Sequence, residues 1–149
     1  MGATMAGATG RRVREWGAHP LDVLAVAGWM AVAEVGVRLV DLPRLARWMG
    51  APLATGPGAP APCLPALRPS ERRRVRLAGA VGRRWPFADG PCLRQALVTG
   101  RALRRHRPVL RIGASLAGAE VTGHAWLEVG SLEIGRAETY GALLASPSP

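Results

Sequence analysis

The chain contains no lysine, although 20 basic residues against 10 acidic ones give it a formal net charge of +10. Every basic side chain is therefore an arginine, and Ala and Gly are abundant. GC-rich coding produces that bias as readily as selection for a basic face. Aromatic residues are also scarce. One Tyr and one Phe leave little to stack on bases, which argues against single-stranded nucleic acid as a partner. Two cysteines, Cys63 and Cys92, are too few for a disulfide framework or a zinc site, so no metal and no cofactor is expected. Long apolar runs are missing too. Val23 to Ala33 covers about 11 residues, where a bilayer span needs about 20, so no stable membrane insertion is expected. Arg11, Arg12 and Arg14 before that run imitate a signal peptide. Glu15, His19 and Asp22 interrupt the imitation, and the helical pattern continues beyond it. The expected setting is cytoplasmic, with reduced thiols.

What is present suffices for one packed domain. Nearly half of the 149 residues are hydrophobic, which rules out wholesale disorder. The arginines cluster as Arg72, Arg73, Arg74 and Arg76, and again as Arg101, Arg104, Arg105 and Arg107. Spacings of three and four put much of each cluster on one helical face. Such a face is either simply solvated or meets an acidic partner or peptide.

The expected order is helices first, then a small antiparallel sheet: an α+β fold. Residues 1–19 read as a flexible segment, 20–145 as a single domain and 146–149 as a disordered tail. Leu21, Leu24, Gly28, Val32, Val35, Leu39 and Leu42 recur at three and four and mark a first helix, which Pro43 breaks. A Gly/Pro loop follows, with Cys63 at its far end. A second helix runs from Pro69 or Ser70 to Arg84, with Ser70 as N-cap. The turn Ala88-Asp89-Gly90-Pro91 introduces a third, from Cys92 to about His106, with Asp89 or Gly90 capping it and Pro91 at its first position. Beyond Pro108 the period becomes two, giving a strand from Val109, a connection at Gly118 and a strand from Val121 to Val129. Gly130-Ser131 then turns the chain into a return strand.

Cys92 in the first turn of a helix sits where free amide hydrogens and the helix dipole favour a thiolate. Taken alone it fits equally well as a small buried packing residue. His124 opens Gly123-His124-Ala125-Trp126-Leu127-Glu128, on a strand that returns toward that helix. A nucleophile and its base meet in space rather than in sequence. Trp85 and Trp126 serve either as walls of such a site or as core.

Cys92-Leu93-Arg94-Gln95-Ala96-Leu97, followed some thirty residues later by His124-Ala125-Trp126-Leu127-Glu128-Val129, resembles the transglutaminase-like cysteine proteases. Within that group the chain is most similar to the leader peptidases of lasso-peptide biosynthesis. The resemblance spans most of residues 20–140, and His-Ala-Trp-x-Glu is its specific part. It implies a transglutaminase/papain-like core and removal of the leader from a ribosomally made precursor. A separate ATP-using lasso cyclase then closes the ring. It also implies a separate small leader-recognition protein as partner, since no room for a recognition domain precedes Leu21. Cys92 would be the nucleophile, its amide an oxyanion donor, and His124 the general base. The family's third catalytic residue is usually an Asp twelve positions after the His, where this chain has Arg136. If position 136 lies opposite His124, strand parity favours Glu138 over Glu133 as the imidazole's orienter. Two alternatives stand beside this reading: another acyl-transfer enzyme (a transglutaminase or amidase), and a binding module whose triad has decayed.

Overall fold

The computed structural model describes residues 19–54, 56, 66–86, 91–117, 120–135 and 141–142. The helices are α1 (Pro20–Leu39), α2 (Leu42–Trp48), α3 (Pro69–Gly82) and α4 (Cys92–Ala102). They precede strands β1 (Val109–Ala117), β2 (Glu120–Val129), β3 (Leu132–Ile134) and β4 (Gly141–Ala142), which form an antiparallel sheet in the order β3-β2-β1-β4. The expected α+β arrangement is what the chain adopts. The segments expected to be a flexible N-terminus and a disordered tail, and the Gly118 connection, lie outside the described residues.

Helix α1 begins with Pro20 at its first position, where a missing N–H costs nothing. It buries Asp22, Val26, Met30, Ala33, Glu34 and Gly36. The stripe singled out by periodicity faces the other way, with Leu21, Leu24, Val32, Val35 and Leu39 exposed. Two apolar stripes compete on this helix, and interhelical partners decide between them. Asp22 lies 2.5 and 2.7 Å from the Nε atoms of Arg73 and Arg74 on α3. Glu34 lies 2.5 Å from Arg94 Nε on α4 and 2.6 Å from Arg38. Leu45 of α2 packs so closely over Gly36 that an added Cβ would fall 2.5 Å from its Cδ1. The helix is also longer than the apolar run suggested. It is the one helix among the described residues long and apolar enough to cross a membrane, with 33% of that stretch buried.

Helix α3 starts at Pro69, one of the two expected starts, and ends two residues before Arg84. Arg68, not Ser70, occupies the N-cap position, and Glu71 reaches back to accept the Arg68 amide at 2.7 Å. Pro91 is likewise the N-cap of α4 rather than its first helical residue. Asp89 and Gly90 lie outside the described residues. Helix α4 stops at Ala102, and a short 3-10 turn, Arg104–His106, carries the chain to Arg107, whose left-handed backbone leads into Pro108 and β1.

The core joins Val26 and Met30 of α1, Leu77 and Ala78 of α3, Ala96 and Leu97 of α4, and Leu110, Ala125 and Leu127 of the sheet. Helix α4 lies at its centre, against α1, α3, β1 and β2. Gly100 permits that position, because a Cβ there would fall 2.5 Å from Ala51 Cβ and 3.6 Å from Leu127. Burying these side chains is the main favourable contribution to folding.

Candidate active site

Cys92 is the first residue of α4, so no preceding helical carbonyl takes its amide hydrogen, which stays available as a donor. The residue is half-buried against the central core. Two residues on, Arg94 grips Glu34 of α1 with Nε at 2.5 Å and Nη2 at 3.3 Å. This fork fastens the start of α4 to α1 and fixes where the thiol sits. The Arg94 hydrogen bond is the leading reason why Glu34 stays below the usual carboxylate range, reinforced by Arg38 against the opposing effect of burial.

His124 lies in the middle of the sheet, opposite Gly113 of β1. Strand alternation groups it with Trp126 and Glu128, as expected, and leaves Ala125 and Leu127 on the side that α4 covers. Trp126 is 1% exposed. Its ring lies nearly parallel to the imidazole, with centroids 6.4 Å apart and planes inclined by 19°, so one rigid ring steadies the other. Glu128 pairs with buried Arg111 at 2.6 Å, and Arg111 Nη1 donates to the Gly56 carbonyl at 2.5 Å. The Glu of the His-Ala-Trp-x-Glu motif thus holds the sheet in place. Trp126 is a buried support for His124, and Trp85 packs half-buried against the core.

The imidazole's Nε2 meets the backbone carbonyl of Gly135. A carbonyl oxygen only accepts, so Nε2 carries the hydrogen. In the neutral ring Nδ1 then holds the lone pair, the form a general base requires. This contact exists because β3 ends at Ile134 and the chain swings away at Gly135, whose φ of +83° suits glycine.

The return strand corrects the expectation about its carboxylates. Glu128 faces Glu133 and Leu127 faces Ile134, a register one residue off from one placing 136 opposite His124. Glu133 therefore shares the face of His124 instead of lying on the other one. Four strand residues separate its position from the histidine, about 14 Å at 3.4 Å each, so it does not orient the imidazole. Glu138, Arg136 and Cys63 lie outside the described residues.

Packing of α4 on β2 brings the helix that begins at Cys92 against the strand that carries His124. Among the described residues the two side chains are not hydrogen-bonded to each other, and His124 stands on the sheet face away from α4. Sequence reasoning missed the Gly135 carbonyl. Its only sequence signal is a glycine at a strand end, which announces a turn but not a ligand for an imidazole. The described residues contain no group of His, Cys, Asp and Glu that could hold a metal.

No curated protein and no solved structure matches the chain. The family model described as the transglutaminase-like superfamily matches residues 24–142, from within α1 to the end of β4. Since that match takes in most of α1 and all the other described helices and strands, with Cys92 and His124 inside it, the chain belongs to the transglutaminase-like superfamily.

Proposed function

We propose that the protein is a cysteine peptidase that removes the leader from a ribosomally made lasso-peptide precursor. The observation that supports this most is a cysteine opening the central helix of a transglutaminase-like domain. The strand on which this helix packs carries a histidine whose neutral tautomer keeps the lone pair on Nδ1. Since His124 stands on the sheet face away from α4, in this reading peptide binding must shift the start of α4 or the end of the sheet until thiol and imidazole meet.

His124 Nδ1 takes the thiol proton, and Cys92 Sγ attacks the scissile carbonyl carbon. The Cys92 amide stabilises the resulting oxyanion. Collapse breaks the C–N bond as the imidazolium passes its proton to the leaving amine, which is the new N-terminus of the core peptide. Water, deprotonated by His124, then attacks the thioester. It releases the leader as a carboxylic acid and restores the thiol–imidazole pair. The Gly135 carbonyl orients the ring throughout. A separate small recognition protein presents the leader, and a cyclase uses the released core.

The placement of His124 on the sheet face away from α4 also suits a second reading, a module that binds the peptide without cutting it. Mass spectrometry of a precursor incubated with the protein and its recognition partner separates the two. Leader acid plus free core peptide supports the peptidase, a cross-linked product indicates transglutaminase chemistry, and unchanged precursor indicates the binding module.

A further inference from the structure

A cavity of about 230 Å³ lies between the start of α3 and the end of α4, away from Cys92. Arg68 and Arg74 stand on the α3 side, while Arg101, Arg104 and Arg105 stand on the α4 side and the turn beyond it. Glu71 lines it too, but its carboxylate is already engaged by the Arg68 amide at 2.7 Å and by His106 Nε2 at 3.0 Å. Arg74 is spoken for as well, by Asp22 at 2.7 Å and by the Trp29 ring 5.6 Å away. Arg101 reaches only a neutral acceptor, the Trp48 carbonyl at 3.5 Å. Among the described residues, Arg101, Arg104 and Arg105 thus face one cavity with no carboxylate of their own, and Arg68 shares Glu71 with His106, an arrangement that a bound anion stabilises.

Their spacing indicates which anion. From Arg101 to Arg105 the chain advances about 7 Å, through the end of α4 and into the 3-10 turn beyond it. Alternate side chains of an extended peptide are about 6.8 Å apart, whereas a single phosphate gathers its oxygens at one point. We propose that this cavity docks an acidic stretch of peptide, with carboxylates on alternate residues, at a site separate from the catalytic cysteine. The identity of that peptide as the substrate rests on the peptidase reading; the binding itself does not. Arg101 lies about 14 Å along α4 from Cys92, so the acidic stretch falls at least about four extended residues from the scissile bond.

The test is fluorescence anisotropy of a labelled octapeptide alternating Glu and Ala, and of its Gln counterpart, on the full chain. The measurement is repeated on the Cys92→Ala chain, so an absence of cleavage leaves it interpretable. The Glu peptide is expected to bind, the Gln peptide about tenfold more weakly or not at all. Arg104→Gln/Arg105→Gln should weaken the Glu peptide about tenfold, while Arg47→Gln/Arg76→Gln, an equal charge loss at exposed positions elsewhere, should change it less than about twofold. Circular dichroism confirms that each variant is folded. Equal weakening by both pairs would reduce the effect to net charge and overturn the proposal. So would binding unaffected by Arg104→Gln/Arg105→Gln, no binding of the Glu peptide, or pyrophosphate binding in its place.

Discussion

At the residue scale, the site depends as much on backbone as on side chains. The Gly135 carbonyl meets His124 because the chain takes a positive φ there, and an added Cβ would touch nothing within 4 Å. Any penalty for substitution is therefore conformational, about 1–2 kcal/mol for an ordinary L-residue in the left-handed region. Gly135→Val should relieve that strain by moving the carbonyl off Nε2, lowering kcat by about tenfold with little change in Tm. Gly135→Asn, which tolerates positive φ, should retain more activity than the valine variant. The kinetics of both variants check this, and equal activity in the two would mean that the carbonyl does not orient the ring.

At the scale of the element, α1 separates periodicity from burial. Leu21, Leu24, Val32, Val35 and Leu39 are spaced as a core stripe and face solvent; Val26, Met30 and Ala33 are spaced just as well and are fully buried. Thermal or urea unfolding distinguishes them. Val32→Gln with Val35→Gln should cost less than about 1 kcal/mol, whereas Met30→Ala should cost about 2–5 kcal/mol. A larger loss from the valine pair than from Met30→Ala would contradict the orientation of the helix. The helices and the β1–β2–β3 strands were legible in the sequence because proline starts, the period change after Pro108 and the Gly130 turn are local signals. The helix face was not, because it depends on Asp22 and Glu34 finding arginines some fifty to sixty residues away. The register of the return strand was not legible either, since parity arguments fail when the opposing residue is assumed. Cys92 and His124 were picked out by type and local setting. The Gly135 carbonyl could not be, because every residue has one.

Across the whole molecule, a few buried carboxylates tie the helices to one another: Asp22 joins α1 to α3, Glu34 joins α1 to α4, and Glu71 joins α3 to the turn after α4. Burial alone raises the Asp22 carboxyl, but its hydrogen bonds to Arg74 and Arg73 bring it below its ordinary 3.8. Burial likewise raises Glu71, and the Arg68 amide and His106 bring it below 4.5. Glu34 falls below 4.5 through Arg94. With folded values depressed, the unfolded chain binds protons first as pH falls. The stability these groups contribute is complete above about pH 4.5 and is lost as the pH drops through their folded values. Thermal unfolding should show Tm declining below about pH 4.5, and Glu34→Gln should lower the neutral Tm while making the acid decline shallower. A Tm unchanged down to pH 3 would show that these pairs do not hold the helices together.

Every step proposed for the site depends on Cys92 as the nucleophile. The most direct measurement is intact-mass analysis of the protein mixed rapidly with precursor and recognition partner, on the unaltered chain and on Cys92→Ala, Cys63→Ala and His124→Ala. The unaltered chain and Cys63→Ala should show a transient adduct of leader mass, a thioester, followed by leader acid and free core peptide. Cys92→Ala should show neither adduct nor cleavage, and His124→Ala should slow adduct formation by about a hundredfold or more. Cleavage that survives Cys92→Ala, or is lost equally in a folded Cys63→Ala chain, would contradict the assignment.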